Sequence, residues 1–134
     1  MTSHVYEAET RGVRVRVVAS YLPQQSDPDD GRWVWAYVIE IENEGDETVQ
    51  LVDRHWTITD GHGQVEEVQG PGVVGEQPVI PPGGRYQYTS GCPLGTDSGV
   101  MVGSYGMITE AGERFEAAIP AFSLHLPGAD RAVN

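Results

Sequence analysis

The sequence contains no lysine and only one cysteine. All 8 basic residues among the 134 are arginines, and 20 acidic residues give a formal net charge of −12. Because neutralising phosphate groups requires clustered basic side chains, this charge argues against nucleic acid and anionic membranes as partners. Cys92 has no second cysteine with which to pair. This favours the cytoplasm, where thiols stay reduced.

Long apolar runs are missing as well. No stretch of about 18 apolar residues could span a bilayer, and residues 1–10 lack the basic and apolar regions of a secretory signal, so we expect neither. The composition, with 39% apolar residues, 17 glycines and 9 prolines, is typical of a globular chain rich in turns. We predict a single domain over residues 1–126 and a loose C-terminal tail over residues 127–134.

Alternating apolar and polar residues predict strands. Val13, Val15 and Val17 alternate with arginines, and residues 33–41 repeat the pattern with tryptophan, tyrosine and isoleucine. Further strands are predicted at 48–59, 64–69, 85–92, 99–109 and 114–124. This series predicts an all-β, antiparallel β-sandwich. We also expect residues 48–59 to pair back onto residues 33–41 in a β-meander, and the polar segment 23–31 to be mobile.

The segment GPGVVGEQP at residues 70–78 contains the glycine spacing of a dinucleotide-binding loop. Such a loop must lead into a helix that receives the pyrophosphate. Pro78, Pro81 and Pro82 follow too closely for a helix, and nearby glutamates would repel phosphate. We therefore expect no nucleotide cofactor, and a nucleotide-dependent enzyme is only a remote alternative.

A long loop of defined shape on a rigid sandwich is a common place for binding. The candidate binding residues in this loop are Gly70, Pro71, Gly72, Val73, Val74, Gly75, Glu76 and Gln77. A purely structural explanation stays open, in which Val73 and Val79 close the edge of the sandwich and the prolines block edge-to-edge aggregation.

Asp53 and His55 lie two apart on a predicted strand and therefore share a face, opposite Trp56. There a carboxylate could orient an imidazole or share a metal with it, or the pair could form an ordinary surface hydrogen bond. Arg54 would lie on the core side and pair with an acid or extend its charge to solvent. Recognised metal-ligand spacings are absent, so no metal site is assigned.

No catalytic residue is assigned either. A cysteine or serine nucleophile needs an adjacent base, which the sequence cannot place beside it. Cys92 precedes Pro93 at the end of an apolar strand, where a small buried thiol is the simpler interpretation. The arginines at 11, 14 and 16 form the only basic cluster. They could contact an acidic partner or be balanced by acidic neighbours.

Three segments carry a resemblance to a known family: RHWTITDGHGQVEEVQGPGVVGEQPVIPPG (54–83), YTSGCPLGTDSGVMVGSYGM (88–107) and IPAFSL (119–124). From about residue 5 to 124 the chain resembles the bacterial ApaG family, also called CorD. The resemblance implies a fibronectin type III/immunoglobulin-like sandwich without established catalytic activity, linked genetically to cobalt resistance and magnesium efflux. Related eukaryotic domains are fused to F-box proteins and to a polymerase-interacting protein, which implies a protein-binding role.

These observations predict a non-enzymatic cytoplasmic binding module for an unidentified protein partner. Its surface would be the 70–84 loop together with Asp53 and His55. The alternative is a protein of cation homeostasis that binds a divalent metal or another small ligand.

Overall fold

The structure is a computed structural model that describes residues 4–128. Its elements are nine strands: β1 Tyr6–Thr10, β2 Val13–Tyr21, β3 Trp33–Asn43, β4 Val49–Asp60, β5 Val65–Pro71, β6 Val79–Ile80, β7 Arg85–Leu94, β8 Gly99–Thr109 and β9 Arg114–Leu124. Between β2 and β3 lie two short 3-10 turns, Pro23–Gln25 and Pro28–Asp30. Within the described residues, no helix has the length and apolar character needed to cross a membrane.

The strands form two antiparallel sheets packed face to face. The first has the order β1-β2-β3-β7, and the second the order β5-β4-β8-β9 with β6 also paired to β4. This confirms the predicted antiparallel β-sandwich. The predicted bounds of β8 and β9 match the structure.

The core lies between the sheets and is built by the alternation seen in the sequence. Val13, Val15 and Val17 are at most 1% exposed. The largest buried side chains that meet across the sandwich are Trp35, Ile39, Ile41, Leu51, Trp56, Tyr105 and Phe122. Burying each large apolar side chain contributes about 1.5–3 kcal/mol, which makes this interface the main source of stability.

The expected pairing of β4 with β3 is wrong. β3 pairs with β2 and β7, whereas β4 lies in the other sheet and pairs with β5, β6 and β8. Asn43 holds the connection between sheets: its buried amide donates to the carbonyls of Glu47 (2.7 Å) and Ile80 (2.9 Å). β4 and β5 form a hairpin across residues 61–64, but the predicted meander is wrong. Alternation shows which face of a strand is buried, not which strand lies beside it.

The segment 23–31 is tied to the sandwich. The hydroxyl of Ser26 donates to the carbonyl of Leu22 (2.8 Å) and accepts from the backbone N–H of Val34 (2.9 Å). The structure therefore supplies an anchor that the sequence did not suggest, and the mobility of this segment stays a prediction. In the predicted tail, residues 127 and 128 form a turn, and residues 129–134 lie outside the described residues.

The arginine cluster is balanced by acidic neighbours. Arg16 bonds Glu7 (2.9 Å) and Glu40 (3.0 Å). Arg11 bonds Glu113 (2.9 Å), in the turn just before β9. Arg14 lies among four glutamates, at positions 7, 9, 42 and 44.

Candidate interaction site

The glycine-rich segment forms a tight hairpin. The backbone N–H of Val73 donates to the carbonyl of Glu76 (2.8 Å), and the N–H of Glu76 donates back (2.9 Å). Between them, Val74 (φ +43°) and Gly75 (φ +81°) both have positive φ angles, as in the type I′ turn of a two-residue hairpin. Since β6 and then β7 follow, the expectation that no helix opens here is confirmed. The geometry of a dinucleotide site is absent.

Gly72 is required at the base of this hairpin. Its φ is +59°, and a Cβ built on it would overlap the carbonyl oxygen of Glu76 and lie 2.9 Å from the carbonyl carbon. The N–H of Gly72 donates to the carbonyl of Val52 on β4 (2.9 Å). The backbone therefore enters the turn along a path that only glycine can follow.

One valine of the loop is buried and two are exposed. Val73 is 1% exposed and packs in the core, as does Ile80. Val74 and Val79 are 55% and 60% exposed. The idea that Val73 and Val79 close the sandwich edge is therefore half wrong, because Ile80 takes the place expected for Val79.

Arg54 fastens the hairpin to β4. Its Nη1 donates to the carbonyls of Pro71 (3.0 Å) and Gly72 (2.9 Å). Gly70 lets the guanidinium lie across β5, because a Cβ there would be 3.1–3.3 Å from its atoms. Of the two alternatives expected for Arg54, pairing with an acid is not seen in the described part of the chain: Arg54 binds backbone carbonyls instead, which ties the loop to β4 at this point.

Asp53 and His55 do lie on one outward face of β4, each about two-fifths exposed. Asp53 forms two hydrogen bonds with Arg114 on β9, both 2.9 Å long. Those bonds hold the pKa of the Asp53 carboxyl below its usual value. His55 Nε2 lies 2.5 Å from a carboxylate oxygen of Glu67 on β5. Each residue therefore has its own partner, and the carboxylate does not orient the imidazole.

A β-bulge sets this arrangement. The register of β4 with β8 shifts between Leu51 and Asp53, so Leu51 and Trp56 both face the core although they are five residues apart. At the bulge, the carbonyl of Val52, which already accepts from the N–H of Gly72, also accepts from the side-chain amide of Gln77 (2.7 Å). The second leg of the loop is thus tied to β4 as the first leg is.

Beside the hairpin lies an open surface groove of about 680 Å³. Five of the predicted residues line it: Asp53, His55, Gly70, Pro71 and Gln77. The other five predicted residues, Gly72, Val73, Val74, Gly75 and Glu76, form the hairpin next to it. Sequence reasoning missed Arg114 and Glu116, which reach the groove from β9. Arg114 and Glu116 lie about 60 positions after Asp53 and His55 in the sequence, so no local pattern could predict that they meet.

Two other kinds of site, a thiol nucleophile at Cys92 and a metal centre, are not supported by the structure. Burial, and then the charge of Glu66, raises the pKa of the Cys92 thiol to about 11, so the thiol stays protonated near neutral pH and is a poor nucleophile. No group of three His, Cys, Asp or Glu side chains within residues 4–128 is arranged to hold a metal ion.

Fold and site together define an antiparallel β-sandwich of the fibronectin type III/immunoglobulin-like class, with a rigid hairpin beside a polar groove. The ApaG domain matches residues 23–109, and the chain belongs to the ApaG family. It is 59% identical over 130 residues to Protein ApaG of Mesorhizobium japonicum, covering 97% of this chain and all of the relative. It is 62% identical over 123 residues to Protein ApaG of Rhodospirillum centenum, covering 92% and 95%. The crystal structure of the ApaA protein of Bordetella pertussis is similar at a TM-score of 0.84 and 44% identity, over 91% of this chain and 98% of that one.

Proposed function

We propose that this chain is a non-enzymatic, cytoplasmic protein-interaction module. Its contact surface consists of the hairpin at residues 72–76 and the adjoining groove with Asp53 and His55, which we call the hairpin–groove surface. The observation that carries the proposal is Val74, whose exposed isopropyl group stands at the tip of a turn with a fixed backbone.

Val74 is an unfavourable residue for its position. A β-branched side chain at φ +43° is a conformational outlier, and type I′ turns favour asparagine or glycine there. Strained residues of this kind persist where the surrounding structure imposes them, often at sites that serve a function. Contact with a partner supplies a reason for an apolar side chain here.

The residues around Val74 are held by tertiary contacts. Val73 is buried in the core, Gln77 bonds the bulge, and Arg54 bonds two loop carbonyls. Ordering a flexible loop on binding costs free energy, so a loop that is already ordered binds more tightly through the same contacts.

The groove beside this apolar tip is lined mainly by polar groups. The Asp53–Arg114 ion pair and the His55–Glu67 hydrogen bond are both partly exposed. An apolar centre with a polar rim is the usual composition of a protein-interaction patch. Its small extent suits a transient contact.

The genetic link implied by the family resemblance makes a protein of cation homeostasis the candidate partner. Direct binding of a divalent metal or another small ligand is the alternative. Purification from the native cell at low stringency, with elemental analysis of the same sample, separates the two. A co-purifying protein supports the proposal, and stoichiometric cobalt or magnesium without one supports the alternative.

Point variants test the surface itself. His55→Ala and Glu76→Ala change exposed side chains, so each should alter stability by about 0.5 kcal/mol or less while reducing recovery of the partner. His62→Ala, in the exposed turn after β4, is the matched control and should recover the partner as well as wild type. Recovery that follows melting temperature alone would contradict the proposal.

A further inference from the structure

A second surface, the free edge of β7, has a different binding chemistry. β7 lies at the end of the order β1-β2-β3-β7, with β3 as its one neighbour in that sheet within the described residues. The pairing with β3 is continuous over ten residue pairs and contains no bulge. The edge is therefore long and regularly paired along its inner side.

The hydrogen-bond phase shows which peptide groups face outward. The N–H of Asn43 donates to the carbonyl of Gly84 (2.9 Å). Antiparallel bonds alternate, so the peptide groups that continue this series face β3: these are Tyr86, Tyr88, Ser90 and Cys92. The N–H and C=O groups that point away from the sheet belong to Arg85, Gln87, Thr89 and Gly91. Within residues 4–128, these outward groups have no other strand to bond.

Proteins normally blunt such an edge with lysines, bulges, short length or a covering segment. β7 has ten residues, and its one proline is Pro93, next to its end. The chain has no lysine. At the other edge of this sheet, β1 has five residues and packs against β9. An unprotected edge of this kind is a template for strand addition.

Charge selects what could add there. At the start of β7, the hydroxyl of Tyr86 donates to the carboxylate of Glu76 (3.0 Å). Near its end, Glu66 lies on the edge strand β5, on the same side as Val68, which packs against the core, so it faces the first sheet, and its charge reaches the Cys92 thiol. Neither carboxylate has an ion-pair partner in the described part of the chain. Tyr86 and Cys92 are six positions apart on the same face, a span of about 20 Å.

We propose that the edge of β7 binds an extended segment of a partner protein as an added antiparallel strand, anchored by two basic side chains six positions apart that reach Glu76 and Glu66. Main-chain bonds to Gln87 and Thr89 supply affinity, and the two carboxylates fix the register. The net charge of −12 attracts a basic segment to this edge. The proposal does not depend on the function of the groove; because Glu76 belongs to both surfaces, Glu76→Ala does not distinguish them, and Thr89→Pro and His55→Ala do.

Selection from a display library of random linear peptides of about nine residues tests it. Wild-type protein should enrich peptides with basic residues six positions apart. Thr89→Pro removes one outward N–H without breaking a bond to β3, so it should stay folded and weaken the enriched peptides by about tenfold or more. Thr89→Ala is the matched control, because it keeps the N–H and should bind like wild type.

Two further measurements make the outcome decisive. An enriched peptide can be N-methylated either at its odd-numbered or at its even-numbered backbone nitrogens. One of these two methylated peptides should lose binding and the other should keep it, without any change to the protein. Hydrogen exchange should be fast at Gln87 and Thr89 in the free protein and slow with peptide bound.

The proposal is overturned if no such peptide is enriched, or if Thr89→Pro and methylated peptides bind as well as their controls. Protection of these amides that rises with protein concentration would show that a second copy covers the edge, which also overturns it. His55→Ala should leave peptide binding unchanged. If His55→Ala abolishes binding and Thr89→Pro does not, the hairpin–groove surface is the binding site and the edge of β7 is not.

Discussion

Replacing Gly72 with alanine should destabilise the protein by about 3–6 kcal/mol. The positive φ of +59° costs an L-residue about 1–2 kcal/mol. The new Cβ would overlap the carbonyl oxygen of Glu76, so the hairpin must open. Opening breaks two backbone hydrogen bonds with Val73, each worth about 1 kcal/mol net. Any withdrawal of the buried Val73 side chain adds up to about 2 kcal/mol.

Gly75→Ala is the matched control for this change. Gly75 also has a positive φ, +81°, but nothing lies within 4 Å of a Cβ built on it. Its cost should therefore be the conformational one alone, about 1–2 kcal/mol. Urea denaturation followed by tryptophan fluorescence measures both variants, and the two should share one m-value. Equal destabilisation of the two variants would refute the inference that packing against Glu76 fixes the hairpin.

Three further outcomes are expected. Burial raises the pKa of the Tyr88 and Tyr105 hydroxyls. The free energy of unfolding should therefore stay constant below about pH 10 and then fall by up to roughly 1.4 kcal/mol per pH unit for each tyrosine. Absorbance at 295 nm, which follows tyrosine ionisation, should show both hydroxyls titrating only as the chain unfolds. A double-mutant cycle of Asp53→Asn and Arg114→Gln should give a coupling energy below about 1 kcal/mol because both groups are partly exposed. Since the pKa of Asp53 is lowered, this coupling should persist at neutral pH and vanish as the pH falls through that lowered pKa. Cys92, 4% exposed, should react with a thiol reagent at the rate of unfolding, and fast reaction in the native state would contradict its burial.

Strands with clear alternation and glycine-bearing turns could be read from the sequence. β8 and β9 match their predicted bounds because Gly99 begins one strand and the turn around Gly112 separates the two. The predicted valine and tryptophan positions of β2 and β3 are in the core. A period of two residues carries this information directly.

The pairing of one strand with another could not be predicted in the same way. The turn after Asn43 has the composition of a hairpin turn, yet the chain crosses there to the other sheet, where Ile80 accepts a bond from the Asn43 amide. The carbonyl partners of Arg54 and the pairing of Asp53 with Arg114 are tertiary contacts. The bulge at Val52 shifts by one residue which side chains of β4 face the core, and no residue type near it predicts that shift.

The central claim is that the hairpin–groove surface binds a partner, and Val74→Gly tests it most directly. Glycine relieves the positive φ but adds chain entropy, so stability should stay within about 1 kcal/mol of wild type. The measurement is the dissociation constant of the partner recovered from the native cell, for wild type and for this variant. Loss of the exposed isopropyl contact should raise that constant by about tenfold. An unchanged constant would contradict the claim and leave the hairpin as architecture.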